Sequence, residues 1–368
     1  MLWYDEGMLD FEIDADIRNA QTPPAKFYTD PGIFDAMKRR AFARCWQLVA
    51  DADAVKAPGN VYPCAFLEGA IDEPLVLSRD YDDNVHCLAN VCTHRGNLVC
   101  EGAGTERFLR CRYHGRRFEL SGKFHSMPEF DGVTNFPTPA DDLPKIAMSK
   151  WARFFFASLD PAAPLEEYFR PMSERLNWLP VHQFQHDPSR GRDYVVRANW
   201  ALYIDNYLEG FHIPYIHAAL NEQLDYDNYL VELLPWGVLQ VGNADEGSDV
   251  FEPPRGSSDS GKRIAAYYYW FFPNLMFNFY PWGLSINIVR PLAVDLTRVT
   301  FISYVWKPDR LDRGAGAGLD RVEREDEAVV EATHRGLRSG FYTRGRYSPA
   351  RETGPHHFHQ LAVRALRS

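Results

Sequence analysis

The chain has 368 residues, 45% hydrophobic and 24% charged, with a formal net charge of −10 at pH 7. That length gives room for two domains and a large core, and an acidic balance without a Lys/Arg block argues against a nucleic-acid partner. No stretch offers the ~18 uncharged apolar residues of a membrane span, and six Cys are too few for a disulfide framework in a chain this long.

The N-terminal Met1-Leu2-Trp3-Tyr4-Asp5-Glu6 lacks the basic and apolar regions of a signal peptide. A cytoplasmic location is expected, with Cys45, Cys64, Cys87 and Cys100 as reduced thiols. Residues 1 to 25 read as an acidic arm ending in Pro23-Pro24. A helix is expected within Asp30–Cys45: Asp30 suits the N-cap, Pro31 the first position, and Phe34, Met37, Lys38 and Ala41 recur at helical spacing. Arm and helix form residues 1–45. Short apolar runs between Gly, Pro and Asp turns come next, at Trp46–Ala50, Leu75–Ser78, Val85–Val91 and Trp151–Leu159. They predict an all-β domain over 46–160.

That domain carries Cys92-Thr93-His94-Arg95-Gly96 and Cys111-Arg112-Tyr113-His114-Gly115. Each segment holds one Cys and one His on a loop short enough to be a single turn, and Gly96 and Gly115 supply the backbone freedom such a loop needs. Two thiolates and two imidazoles suit a structural tetrahedral zinc. They also suit a Rieske [2Fe–2S] centre, with two Cys on one iron and two His on the other. Zinc patterns usually pair Cys with Cys and His with His. One of each per segment, as C-x-H and C-x2-H, is the Rieske arrangement, so Cys92, His94, Cys111 and His114 are the expected cluster ligands.

Pro161–Pro164 marks the boundary of a second domain, 161–368. A helix is expected at Leu165–Leu179. A strand within Gln183–Val196 leads to Asn199, the N-cap of a helix predicted to reach about Phe211. Asp205, Glu209 and His212 would share one face of it at i, i+4 and i+7. Pro214 would stop the helix, and His217 comes after it. The polar run Gly242–Gly261 is expected to be a lid or disordered. Strands are predicted at Tyr267–Asn278, Leu284–Val289 and Arg298–Trp306, the last with clear alternation. A flexible Gly314–Gly318 link precedes a helix from Leu319 to Leu337.

On that last helix Leu319, Val322, Val329, Val330, Thr333 and Leu337 form an apolar stripe, with Asp326 inside it. Glu323, Glu325, Glu327 and Glu331 read as a solvated face. A carboxylate on a buried stripe must be paired, protonated or metal-bound. His212, His217 and Asp326 would make the two-His-one-carboxylate triad of non-haem Fe(II) oxygenases. Pairing of Asp326 with Arg335 or Arg197 explains the spacing equally well.

Over nearly its full length the chain resembles the alpha subunits of Rieske non-haem iron aromatic-ring-hydroxylating oxygenases. The two Cys/His segments carry the likeness, together with Asp205-Asn206-Tyr207-Leu208-Glu209-Gly210-Phe211-His212-Ile213-Pro214-Tyr215-Ile216-His217 and Arg324-Glu325-Asp326-Glu327. The resemblance implies an α+β architecture, an all-β Rieske domain followed by a helix-grip catalytic domain of antiparallel sheet on a long helix. It implies mononuclear Fe(II) on His212, His217 and Asp326, and electrons from NAD(P)H through a separate reductase or ferredoxin. It further implies a homotrimer in which each cluster serves the iron of a neighbouring copy. A carboxylate bridges the two centres; Glu209 is the candidate, with Asp205 second. The expected partners are O2 and a small-molecule substrate.

Arg116 stands where the family usually has Trp. With Arg95, Arg112 and Arg117 it makes the cluster loops basic, for docking an acidic redox partner or for local salt bridges. The 205–217 segment resembles the branch that holds choline monooxygenase. The aromatic run Tyr267-Tyr268-Tyr269-Trp270-Phe271-Phe272, with Phe277, Phe279, Tyr280 and Trp282, would suit a quaternary ammonium substrate, to which the reading leans, with hydroxylation or N-demethylation as the reaction; the same rings would also line a pocket for an apolar aromatic, the alternative. A pure electron-transfer Rieske protein would leave 205–217 unexplained.

Overall fold

The computed structural model describes residues 11–217, 230–244, 248–314 and 319–368. The chain forms two compact units. One is Ala43–Ala162; the other combines residues 11–42 with 163–368.

The Ala43–Ala162 unit is built of short strands: β1 (Gln47–Asp51), β2 (Asn60–Phe66), β3 (Glu73–Arg79), β4 (Val85–Ala89), β5 (Gly104–Thr105), β6 (Leu109–Arg110), β7 (Arg117–Phe118), β8 (Phe124–Ser126), β9 (Ala147–Trp151) and β10 (Phe154–Ser158). They make three antiparallel sheets, ordered β4-β3-β2-β5, β6-β7-β8 and β1-β10-β9. The predicted strand Trp151–Leu159 is a hairpin instead. Ala152 turns the chain at φ +50, so Trp151 ends one strand and Phe154 opens the next. Val76, Leu88, Leu109 and Phe118 pack in one cluster with Cys92 and Cys111. The unit starts and ends side by side, because Leu159 N–H bonds the Ala43 carbonyl at 3.0 Å and Ala162 N–H that of Arg44 at 2.9 Å.

The second unit opens with an arm that does not stand free. Thr22 N–H bonds Gly345 O at 3.1 Å, and the Arg344 guanidinium holds the carbonyls of Glu12, Gln21 and Thr22. These bonds tie the arm to the 163–368 segment. Helix α1 (Pro31–Arg40) comes next, capped by Asp30, whose Oδ1 accepts from Gly32 and Ile33 N–H.

Eight strands then form one antiparallel sheet: β11 (Gln185–His186), β12 (Arg192–Val196), β13 (Leu230–Leu234), β14 (Gly237–Asn243), β15 (Ile264–Phe271), β16 (Leu275–Tyr280), β17 (Gly283–Ala293) and β18 (Leu296–Val305). The order is β11-β18-β17-β16-β15-β14-β13, with β12 also on β18. The run expected as one strand, Tyr267–Asn278, is cut by Phe272-Pro273-Asn274 into β15 and β16, since proline cannot continue the ladder. The helices are α2 (Leu165–Arg175), α3 (Trp200–Tyr207), α4 (Ile213–Ile216), α5 (Leu319–Leu337) and α6 (Thr353–Arg367). Helix α3 packs on α5, α6 and β17.

The stretch expected to be a lid or disordered is packed where it is described. Phe251 bridges Ile264, and buried Asp259 binds Arg175 Nε at 2.6 Å, Lys262 Nζ at 2.9 Å and the Tyr267 hydroxyl at 3.0 Å. Of the glycine link, 315–318 lie outside the described residues. Among the described residues no helix is long and apolar enough to cross a membrane.

Candidate metal centres

The Cys92 and Cys111 loops repeat one hydrogen-bond pattern. Gly96 N–H bonds Cys92 O at 2.9 Å and Gly115 N–H bonds Cys111 O at 3.1 Å. Cys92 N–H bonds Asn97 O at 2.8 Å and Cys111 N–H bonds Arg116 O at 2.9 Å. Both loops close through a left-handed glycine, Gly96 at φ +73 and Gly115 at φ +77, a conformation costly for any residue with a Cβ. The two Cys are buried, while His94 is half-buried and His114 exposed, their rings 4.9 Å apart in a T-shaped pair.

A tetrahedral zinc would draw four donor atoms to about 3–4 Å of one another. Among the described residues, the set of three or more such donors within 4.8 Å of one another is His212, His217 and Asp326, and no loop residue belongs to it. The loop donors are spread too widely for one ion. Two buried sulfurs below two outward imidazoles fit a cluster with two unlike irons.

Arg116 is 2% exposed. Its guanidinium bonds Asp141 Oδ1 at 2.7 Å and lies over the rings of Phe118, Phe124 and Phe136. The docking reading fails for this residue, because it cannot reach a partner; Arg95, Arg112 and Arg117 remain exposed. The Arg116 hydrogen bond, foremost, holds the Asp141 carboxyl below its ordinary range.

At the second centre, α3 ends at Tyr207 rather than Phe211. Leu208 N–H closes the last turn on Ile204 O, Gln240 Nε2 takes the Tyr207 carbonyl at 2.7 Å, and Gly354 of α6 sits where a Cβ would come within 2.3 Å of Leu208 O. Asp205, Glu209 and His212 therefore do not share a helical face. Glu209 instead folds over the start of α4: its Oε2 accepts from Phe211 and His212 N–H, and its Oε1 lies 2.6 Å from His212 Nδ1. Pro214 stands in the first turn of α4 and stops nothing. His212 and His217 bracket that single turn.

Helix α5 brings the carboxylate. Asp326 Oδ1 lies 2.9 Å from His217 Nε2 and 3.4 Å from His212 Nε2. It turns to the histidines, not to Arg335 or Arg197; the Arg197 N–H bonds Glu331. Both rings thus offer Nε2 to one point and give Nδ1 to a carboxylate, His217 to Glu325 Oε2 at 2.8 Å. Burial works against a charged His217, but Asp326 and Glu325 outweigh it and raise its pKa.

The solvated-face reading of α5 needs correcting. Glu325 is the His217 partner. Glu323 is 6% exposed and buried with Val330, His334 and Leu337 on one face, whereas Thr333 of the predicted stripe is exposed. Glu323 accepts from the Tyr203 hydroxyl at 2.8 Å, and burial pushes its pKa up to about 8. The available signal was the i, i+7, i+11 spacing of Glu323, Val330 and His334. A glutamate on an apolar face was easy to discard.

Asp205 has other company. It accepts from the Tyr28 hydroxyl at 2.8 Å and lies 2.9 Å from His359 Nε2, whose Nδ1 meets the Tyr347 hydroxyl at 2.7 Å. Asp205, Glu209 and His212 line one cavity, of about 300 Å³. Glu209, His212, His217 and Asp326 line another, of about 130 Å³, walled by Tyr203, Tyr207, Tyr268, Tyr280, Phe301 and Glu323. At that volume, below the ~300–1,000 Å³ of drug-sized pockets, the cavity has room for a compact small molecule beside the triad, with a mixed aromatic and polar lining.

Residues 176–368 match the family model for the ring hydroxylating alpha subunit (catalytic domain), and residues 45–137 that for the Rieske [2Fe-2S] domain. Chloroplastic choline monooxygenase of Arabidopsis thaliana is 30% identical, over 97% of this chain and 86% of its own. The carnitine monooxygenase oxygenase subunit of Escherichia coli K12 is 27% identical, over 96% of each. Among solved structures, a quaternary ammonium Rieske monooxygenase in complex with L-carnitine shares the fold at TM-score 0.73 and 24% identity, over 94% of this chain and 96% of that one. Naphthalene 1,2-dioxygenase from Rhodococcus sp. does so at TM-score 0.70 and 19% identity, over 93% of each.

Proposed function

Because this chain belongs to the family of Rieske-type ring-hydroxylating oxygenase alpha subunits, we propose that its substrate is a small quaternary ammonium compound. The family is an enzyme family. Its members are terminal oxygenases that take electrons from a reductase, carry a Rieske [2Fe–2S] cluster and bind mononuclear iron.

On this reading Cys92, His94, Cys111 and His114 hold the cluster, and His212, His217 and Asp326 hold the iron. When bound, the metals supply O2 activation and electron delivery. The protein supplies the rest. Glu209 and Glu325 fix the tautomers of His212 and His217 by accepting hydrogen bonds from their Nδ1–H groups, which leaves each Nε2 free. The cavity wall holds one C–H bond of the substrate toward the triad. The net change is insertion of one oxygen atom into that bond; the other leaves as water, with two electrons and two protons consumed.

The observation that carries the substrate class is the cavity lining. Tyr207, Tyr268, Tyr280 and Phe301 face the site, and no Lys or Arg is among the described residues that line it. Aromatic faces attract alkylammonium cations. The names of the relatives point the same way: choline and carnitine are both quaternary ammonium compounds.

The test is single-turnover chemistry. The protein is reduced anaerobically, given choline, carnitine, glycine betaine or an aromatic acid, and exposed to oxygen. Oxidised product from an ammonium compound is expected; product from ring compounds only would overturn the reading.

We also propose a homotrimer in which Glu209 links a cluster to the iron of a neighbouring copy. Mixing a Cys111→Ala protein with an Asp326→Ala protein, after subunit exchange, should restore turnover that neither has alone. No restoration would mean that electrons stay within one chain.

A further inference from the structure

The small cavity beside the triad is lined by three carboxylates: Glu209, Asp326 and Glu323. Two are engaged. Asp326 faces both histidines, and Glu209 holds His212 Nδ1 and two backbone amides. Glu323 is different. Its Oε2 accepts from the Tyr203 hydroxyl, while its Oε1 is buried and has no hydrogen-bond partner. Gln240 Oε1, on the wall of the same cavity, is a second buried acceptor without a donor.

Two other pairs of polar groups on the wall satisfy each other. The Tyr207 hydroxyl donates to Asn278 Oδ1, and Ser285 Oγ donates to Asn287 Oδ1. Buried acceptors left open are costly, and an unpaired carboxylate most of all. A site that keeps one beside aromatic side chains, with no Lys or Arg on its described wall, suits a positive charge.

We propose that Glu323 is the specificity-determining residue of this site: its carboxylate is the counter-charge for the cationic nitrogen of the substrate. This rests on, and sharpens, the quaternary ammonium reading above. The placement also orients the substrate. Glu323 and Asp326 are three apart on α5, so their Cβ atoms are neighbours on one face, about 5–6 Å apart. A nitrogen held at Glu323 brings the carbons bonded to it next to the metal ligands. Tyr203 fixes the carboxylate from behind, and Tyr207, Tyr268, Tyr280 and Phe301 supply the ring faces.

A neutral ligand gains nothing from that carboxylate. The discriminating measurement is therefore a pair of affinities: choline, and its uncharged isostere in which carbon replaces the nitrogen. Both are titrated calorimetrically into the anaerobic, metal-replete protein at about pH 9, above the pKa that burial gives Glu323, so that its carboxylate is charged in the wild type. Wild type should prefer choline by about tenfold to a hundredfold, the range of a charge-assisted contact. Glu323→Gln keeps the volume and an acceptor for Tyr203 but drops the charge, and should cut the choline preference by about tenfold, leaving only what the rings contribute. Glu323→Asp keeps the charge and should preserve the preference at lower affinity for both ligands. Iron content of each variant reports whether the triad is intact.

If wild type prefers choline and Glu323→Gln prefers it equally, Glu323 is not the counter-charge, while the quaternary ammonium reading stands on the rings. If wild type binds neither choline nor carnitine and takes ring compounds, both readings fall together.

Discussion

Each histidine of the triad uses one nitrogen for the metal position and the other for a carboxylate. That second contact sets which Nε2 lone pair is free, so it belongs to the function as much as the ligands do. Glu325→Gln should lower iron affinity by about 10–100-fold while leaving the cluster spectrum alone; iron analysis after dialysis against a chelator reads it. Glu323 makes a prediction of another kind. Burial, the largest influence, raises its pKa from 4.5 to about 8. Linkage sets the sign: stability contributed by a raised carboxyl is complete below the unfolded value and is lost as pH rises through the folded one. Gln does not titrate. In metal-free protein, the melting temperature of Glu323→Gln relative to wild type should therefore climb between about pH 5 and about pH 8.5. A flat difference would mean that Glu323 is ionised throughout. At Arg116 the outcome is a loss of fold stability. Arg116→Met strands Asp141, itself partly exposed, and should cost about 2–3 kcal/mol in denaturant unfolding, toward the low end for a broken buried pair. None of these three roles could be read from residue type alone. The candidate ligands stood out in the sequence because metal chemistry dictates both their type and spacing; Glu323, Glu325 and Arg116 take their surroundings from neighbours far away in sequence.

Elements divide in the same way. Helix α5 begins and ends where its pattern places it, Leu319 and Leu337, because a long amphipathic run contains its own evidence. The buried face was misjudged, since it carries a glutamate and a histidine that hydropathy places outside. Helix α3 stops a turn early for reasons its own sequence does not contain. Gln240 from β14 takes the Tyr207 carbonyl, and Gly354 from α6 packs tightly against the carbonyl of Leu208. This locates a sensitive position remote from the chemistry. Gly354→Ala places a methyl within 2.3 Å of Leu208 O and must push the segment just before Glu209. It should cost about 1–3 kcal/mol as an overpacked contact and lower iron retention as well. Normal iron content in a destabilised variant would show that the push is absorbed within α6. The β hairpin at Ala152 and the break at Phe272-Pro273 were missed for a simpler reason: apolar runs on both sides of a tight turn look continuous.

At the scale of the whole molecule, the two candidate metal-binding sets lie in separate units, each with its own core. Their occupancies should be independent. Cys111→Ala should abolish the visible absorption yet keep the mononuclear iron, and Asp326→Ala should do the reverse; loss of both metals in either variant would reveal coupling. The order of the two units was plain from the motifs. Less visible was that the second unit is discontinuous, its first segment lying at 11–42. Chain-to-chain bonds such as Thr22 with Gly345 leave no periodic trace.

That discontinuity bears on how the protein is made. The Ala43–Ala162 unit is complete once its last residue has been synthesised, and its adjacent ends close on each other without help from residues added later. The other unit must wait: Tyr28 can meet Asp205 earlier, but the arm is not tied down until Arg344, Gly345 and Arg346 emerge, and Asp326 comes nearly as late. Domains that emerge first fold first. On the ribosome, the loops with the candidate cluster ligands would thus be in place while the second candidate metal site is still in pieces, so that site would have to await nearly the whole chain.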